Sequence, residues 1–185
     1  MRRLLTAVAM LLVLSICYAQ EGHMKFKGVS MDGTLQSFTK ELKSKGLALV
    51  KDGRELSVMK GKFAGQKHCK VSVFPNQAGL VYSVTVSFPT MKKWDELEDS
   101  YLKYKSLLRE KYGDPVGEEE YFGYLSEKMI SIKLDKYRCY SVFACQEGKV
   151  RIEIVHEKKS SCYVKLTYFD KLNSDKQHQQ IIGDL

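Results

Sequence analysis

Four cysteines and two histidines are the residues of this chain best equipped for covalent or metal chemistry: Cys69, Cys139, Cys145 and Cys162, with His68 and His156. A cysteine hydrolase needs a thiolate beside a histidine that a third group orients. Zinc needs thiolate and imidazole ligands at short spacing, and the chain has neither a Cys-x-x-Cys nor a cysteine–histidine cluster of that kind. His68 and Cys69 are adjacent, but neighbours on a strand point to opposite faces. Alternation groups Cys69 with Val71 and Val73, Cys139 and Cys145 with Phe143, and Cys162 with Val164 and Leu166. All four thiols are therefore expected on an apolar side, where a thiol is inert or disulfide-bonded. Glu153 and Asp170 read as ordinary solvated acids and not as a glycosidase pair. The sequence predicts no catalytic residue, no metal site and no cofactor, and Cys/His chemistry of unknown type is the one enzymatic route it leaves open.

A softer signal lies on the opposite side of the same strands. Lys133, Arg138, Tyr140, Arg151, Tyr163 and Lys165, with Glu153 among them, fall on the predicted outer face of the second half. Tyrosine and arginine combine rigid contact area with polar tips and are enriched at recognition surfaces. This face is the predicted binding surface. Its plain alternative is a solvated sheet face with cross-strand charge pairs.

The elements that must position these residues follow from periodicity. Asp32-Gly33-Thr34 turns into a helix whose Leu35, Phe38 and Leu42 form one apolar stripe and which Gly46 ends. Extended segments are predicted near 55–63, 68–74 and 79–88, the last alternating Leu80, Tyr82, Val84, Val86 and Phe88 against smaller or more polar neighbours. Thr90 is predicted to cap a second helix with Trp94, Leu97, Tyr101, Tyr104, Leu108 and Tyr112 on one side, stopped by Gly113 and Pro115. Glu118-Glu119-Glu120 reads as a solvated loop edge. Further extended segments are predicted near 120–126, 128–135, 137–145, 149–157 and 161–169, with hairpin turns at Gln146-Glu147-Gly148 and Glu157–Ser160. Ser174 to Ile182 reads as a loose peripheral helix with little to bury. Helix then strands, twice over, predicts an α+β fold: an antiparallel sheet of two helix-plus-meander repeats, 20–90 and 91–170, with helices packed on one face and a polar tail at 171–185.

The first nineteen residues set the expected compartment. Met1-Arg2-Arg3, an apolar run from Leu4 to Ile16, and Ala19 before Gln20 have the three parts of a secretory signal peptide, and the run is short for a membrane span. Cleavage after Ala19 predicts a periplasmic or secreted protein of 166 residues with no transmembrane anchor. A lipidated form through Cys17 is disfavoured because Ile16 is not small. The formal charge of +8 becomes +6 without the leader arginines. Export and the lack of a nucleic-acid-binding motif exclude nucleic acid as the expected partner, leaving anionic headgroups, glycans or acidic protein surfaces. An even cysteine count in an oxidising space favours disulfides. Strand geometry restricts them, since Cys139 and Cys145 lie roughly 20 Å apart along one predicted strand. One bond involving Cys69, with two buried free thiols, remains open.

The chain resembles the small exported α+β repeat proteins of gut Bacteroidetes. The matching residues are the Ala19-Gln20 junction, Phe26-Lys27-Gly28-Val29 with Asp32-Gly33, Lys62-Phe63-Ala64-Gly65, and Trp94-x-x-Leu97 leading to Tyr112-Gly113-Asp114-Pro115. Over most of 24–170 its layout is similar to the beta-lactamase-inhibitor-protein-like fold, whose two helix-plus-sheet repeats form one concave surface. The resemblance implies a non-enzymatic role in binding another protein or an envelope component. A lipid- or glycan-binding module using the basic, tyrosine-rich face is the alternative.

Overall fold

The computed structural model describes residues 22–120, 128–157, 161–183 and 185. The predicted leader with Cys17, nearly all of the predicted strand at 120–126, and the turn residues 158–160 lie outside them. A short hairpin, β1 (Lys25–Phe26) and β2 (Val29–Ser30), precedes helix α1 (Leu35–Ser44) and four strands: β3 (Ala48–Lys51), β4 (Ser57–Phe63), β5 (Gln66–Pro75) and β6 (Val81–Ser87). Helix α2 (Trp94–Tyr112) and β7 (Gly117–Glu119) come next, then a short helix α3 (Lys128–Lys133). Strands β8 (Cys139–Cys145), β9 (Gly148–Glu157) and β10 (Ser161–Asp170) run into helix α4 (Lys171–Gly183).

Eight of the strands form one antiparallel sheet in the order β3-β4-β5-β6-β10-β9-β8-β7. The last strands of the two meanders, β6 and β10, meet at its centre, with Leu166 opposite Val86 and Tyr168 opposite Val84. The inward rows, including Met59, Val71, Val73, Val84, Val86, Phe143, Val150, Ile152, Val164 and Leu166, share one core with Leu35, Phe38 and Leu42 of α1 and Leu97, Tyr101, Tyr104 and Leu108 of α2. Phe26, Phe63, Phe88, Tyr104 and Tyr168 form a chain of ring contacts at 4.3–6.4 Å between centroids.

Helix α1 starts as its sequence requires. The Thr34 hydroxyl accepts from the Ser37 N–H at 3.3 Å, satisfying one of the free first-turn donors. Helix α2 does not start at Thr90. Met91 still bridges Cys162 in extended backbone, and the N-cap is Lys93, whose side chain makes no capping hydrogen bond. Asp95 and Glu96 in the first turn supply the negative charge that the helix N-terminus favours.

Two predicted elements are corrected. Residues 128–135 were expected to be extended because Ile130, Ile132 and Leu134 alternate. The chain instead makes α3, which buries Ser131 and Ile132 and leaves Ile130 and Leu134 exposed. The tail is not peripheral throughout. Asn173 of α4 is fully buried, and its amide donates to the carbonyls of Met31 at 2.8 Å and Val81 at 3.0 Å. Asp170, read as solvated, is also fully buried and accepts from the backbone N–H of Met24 at 2.7 Å and of Asn173 at 2.9 Å, and from His23 Nδ1 at 3.0 Å. A buried carboxylate with three donors is satisfied, and it ties the first described residues to the last helix. No helix among the described residues is long and apolar enough to cross a membrane.

Candidate functional site

Strand register builds the outer face of the second meander. Tyr140 of β8 stands opposite Glu153 of β9, and Glu153 opposite Lys165 of β10, so three functional side chains form one row across three strands. Arg151, two residues along β9, points the same way and reaches Tyr140 diagonally, its guanidinium carbon 4.1 Å from the ring centroid. Tyr163, two residues from Lys165, stands opposite Val155. Glu153 holds both neighbouring cations, with Oε1 2.8 Å from Lys165 Nζ and Oε2 3.3 Å from Arg151 Nε. The Arg151 Nε is covered from solvent yet makes no hydrogen bond.

Strand β8 begins at Cys139 opposite Ile154, short of the end of the β9–β10 hairpin. The space left beside it is a depression of about 400 Å³. Five of the six predicted surface residues line it: Arg138, Tyr140, Arg151, Tyr163 and Lys165. Arg138 is not on the sheet, because it precedes β8 and is exposed. Lys133 is the residue misplaced by the sequence reading. It ends α3, outside the lining, with its charge near Cys162. Asp135 and Tyr137 belong to the lining and were missed, since the turn after α3 was read as strand; His156, named above only as a candidate partner for a thiol, lines it from β9. Asp135 takes a positive φ of 55° and accepts from His156 Nε2 at 3.0 Å.

The cysteines behave differently from the disulfide expectation. All four are free thiols, with Cys69, Cys139 and Cys162 buried and Cys145 half-buried. Strand β9 separates Cys139 from Cys162, β6 separates Cys69 from Cys162, and Cys139 and Cys145 occupy opposite ends of β8. No pair is placed for the short Cα separation that a disulfide needs. Burial pushes the Cys139 thiol up to about 12 and raises those of Cys69, Cys145 and Cys162. A thiol held protonated is a poor nucleophile.

A second polar cluster lies between α2 and the inner face of β8. Glu120 Oε1 accepts from Lys105 Nζ at 2.7 Å, from the Tyr101 hydroxyl at 2.5 Å and from Ser141 Oγ at 2.8 Å, while Lys105 also donates to Glu118 at 2.8 Å. Glu118 and Glu120 were expected on a solvated loop edge. Pairing of Glu118 and Glu119 with Ser141 and Tyr140 makes that run an edge strand, which delivers Glu120 to the buried side. Burial alone would raise the Glu120 carboxyl, but the three donors outweigh it and hold the group below the usual carboxylate range. A carboxylate so stabilised is a weak base for Ser141, and the cluster pins helix to sheet.

Comparison with known proteins returns no matching family model, no matching curated protein and no matching solved structure. Among the described residues, no three histidines, cysteines, aspartates or glutamates stand together as a metal site. What distinguishes the outer face chemically is a guanidinium over a phenol ring, two further cations and two further tyrosines around one shallow depression.

Proposed function

We propose that this chain is an exported, non-enzymatic binding protein that engages an extracytoplasmic protein or envelope component through the outer face of β8, β9 and β10. The observation that carries the reading is Arg151 stacked on Tyr140 inside the depression, beside Tyr163 and Lys165. Stacking fixes two side chains that would otherwise lose rotamer freedom on binding, so contact there costs less entropy. The raised thiols favour binding over cysteine chemistry. The sheet order favours two helix-plus-meander repeats joined at β6 and β10, the layout implied by the resemblance to the beta-lactamase-inhibitor-protein-like fold. The compartment rests on the leader sequence.

The test is a triple variant, Tyr140→Ala, Arg151→Ala and Tyr163→Ala, compared with the parent chain in pull-down from envelope extract. Loss of a captured component with unchanged thermal unfolding is the expected result. An unchanged set of captured components would remove this face from the proposal.

A further inference from the structure

We infer that the depression takes a carboxylate from an acidic, partly apolar peptide segment, and that Glu153 occupies the ligand's place in the free protein. The inference rests on the binding reading above and adds the ligand's chemistry. Arg138, Arg151 and Lys165 supply three cations to the lining. Arg138 makes no ion pair among the described residues, whereas Arg151 and Lys165 both lean on the single carboxylate of Glu153. That carboxylate fits one cation better than the other: it meets Lys165 at 2.8 Å but stands 3.3 Å from Arg151 Nε, which is left without a hydrogen bond. The guanidinium already sits over the Tyr140 ring, so a ligand that displaces the Glu153 carboxylate would meet Nε and a terminal nitrogen in the two-pronged geometry that arginine favours. The other acid of the lining, Asp135, is 81 % exposed and bonded to His156, and does not compete for these cations.

The surroundings favour a peptide over a small anion. The lining also holds apolar surface beside the cations, from Ile154, Val155 and the Tyr137 ring, and Tyr137 is 41 % exposed. An apolar side chain next to the acid would cover the Tyr137 ring, while inorganic phosphate would leave it in water.

The test uses the purified full chain and a fluorescein-labelled hexapeptide, Gly-Leu-Glu-Leu-Glu-Gly, followed by anisotropy. Binding should weaken about tenfold when glutamine replaces glutamate in the probe, and about tenfold in Arg151→Gln. Arg138→Gln, at an exposed position outside the sheet, should weaken binding by a smaller factor and guards against a folding defect in the first variant. Glu153→Gln should bind the acidic probe several-fold more tightly, because it removes the internal competitor. A destabilised site would not show that gain.

No binding of the acidic probe, equal binding of the glutamine probe, or Glu153→Gln binding no better than the parent would each overturn the inference. Trigalacturonate and inorganic phosphate serve as competitors. A site that holds either of them and not the peptide takes an anion of another class, and the peptide assignment fails. Failure here with partner loss in the triple variant would sink the ligand chemistry and leave the binding face standing.

Discussion

Glu120 accepts from Lys105, Tyr101 and Ser141, and these donors keep its carboxyl below the ordinary value of 4.5 despite burial. A group whose folded value is depressed stabilises the fold above its unfolded value and loses that contribution as pH falls through the folded one. Glu120→Gln should therefore cost about 1–2 kcal/mol near neutral pH, where hydrogen bonds to a charged group are at stake. The difference from the parent chain should shrink once the pH drops below 4.5. Urea unfolding of both proteins from pH 7 to about pH 3 measures it, and a gap that stays constant on acidification would mean that charge does not hold the cluster. This residue marks the limit of what sequence reveals at this scale. Alternation along a strand places Tyr140, Arg151, Tyr163 and Lys165 on one face, because that inference needs only neighbouring residues. Glu120 and Asp170 look solvated in sequence because their partners lie elsewhere along the chain, Met24 being 146 residues from Asp170.

At the scale of elements, Gly148 shows what the β8–β9 turn demands. A Cβ built there would lie 2.0 Å from the Phe169 carbonyl oxygen and 3.2 Å from the Lys171 N–H nitrogen, both backbone atoms that cannot swing aside. Gly148→Ala must then separate β9 from the end of β10, next to Asp170, and should destabilise the protein by at least about 2 kcal/mol. The same change at Gly65, where nothing lies within 4 Å but φ is +85°, should cost only about 1 kcal/mol of backbone strain. Chemical denaturation of the two variants side by side tests the contrast, and equal losses would defeat it. The glycine was legible as a turn residue, but the carbonyl that makes it obligatory was not. The long helices and the strands with regular alternation were legible for the same local reason. The short helix α3 was not, since six residues carry barely two turns of pattern and Ile130, Ile132 and Leu134 mimic a strand.

At the scale of the molecule, the sheet order alone would allow two nearly independent halves, because they share one strand junction, from Lys165 opposite Ser87 to Phe169 opposite Ser83. The side chains argue for one cooperative unit. Phe26, Phe63 and Phe88 come from the first half, yet they pack on Tyr104 and Tyr168 of the second, with Phe88 and Tyr104 stacked at 4.3 Å. Asp170 binds the backbone of Met24, and Asn173 binds that of Met31 and Val81, so the last helix also closes on the first half. Opening either half would expose aromatic surface and strand buried polar groups of the other, a joint cost that couples their unfolding. The single tryptophan, Trp94, begins α2, where it donates to Glu98 and lies under Lys128 at 5.4 Å, so its fluorescence reports the second half. Far-UV circular dichroism reports both halves together. The two signals should give one urea midpoint, as a two-state domain does. A tryptophan transition displaced from the dichroism transition, or a dichroism curve with two steps, would mean that the halves unfold separately. Cooperative coupling also bears on the proposed site, because a face held by one shared core presents Arg151 and Tyr140 already ordered to a partner, and less binding energy is then lost to ordering them.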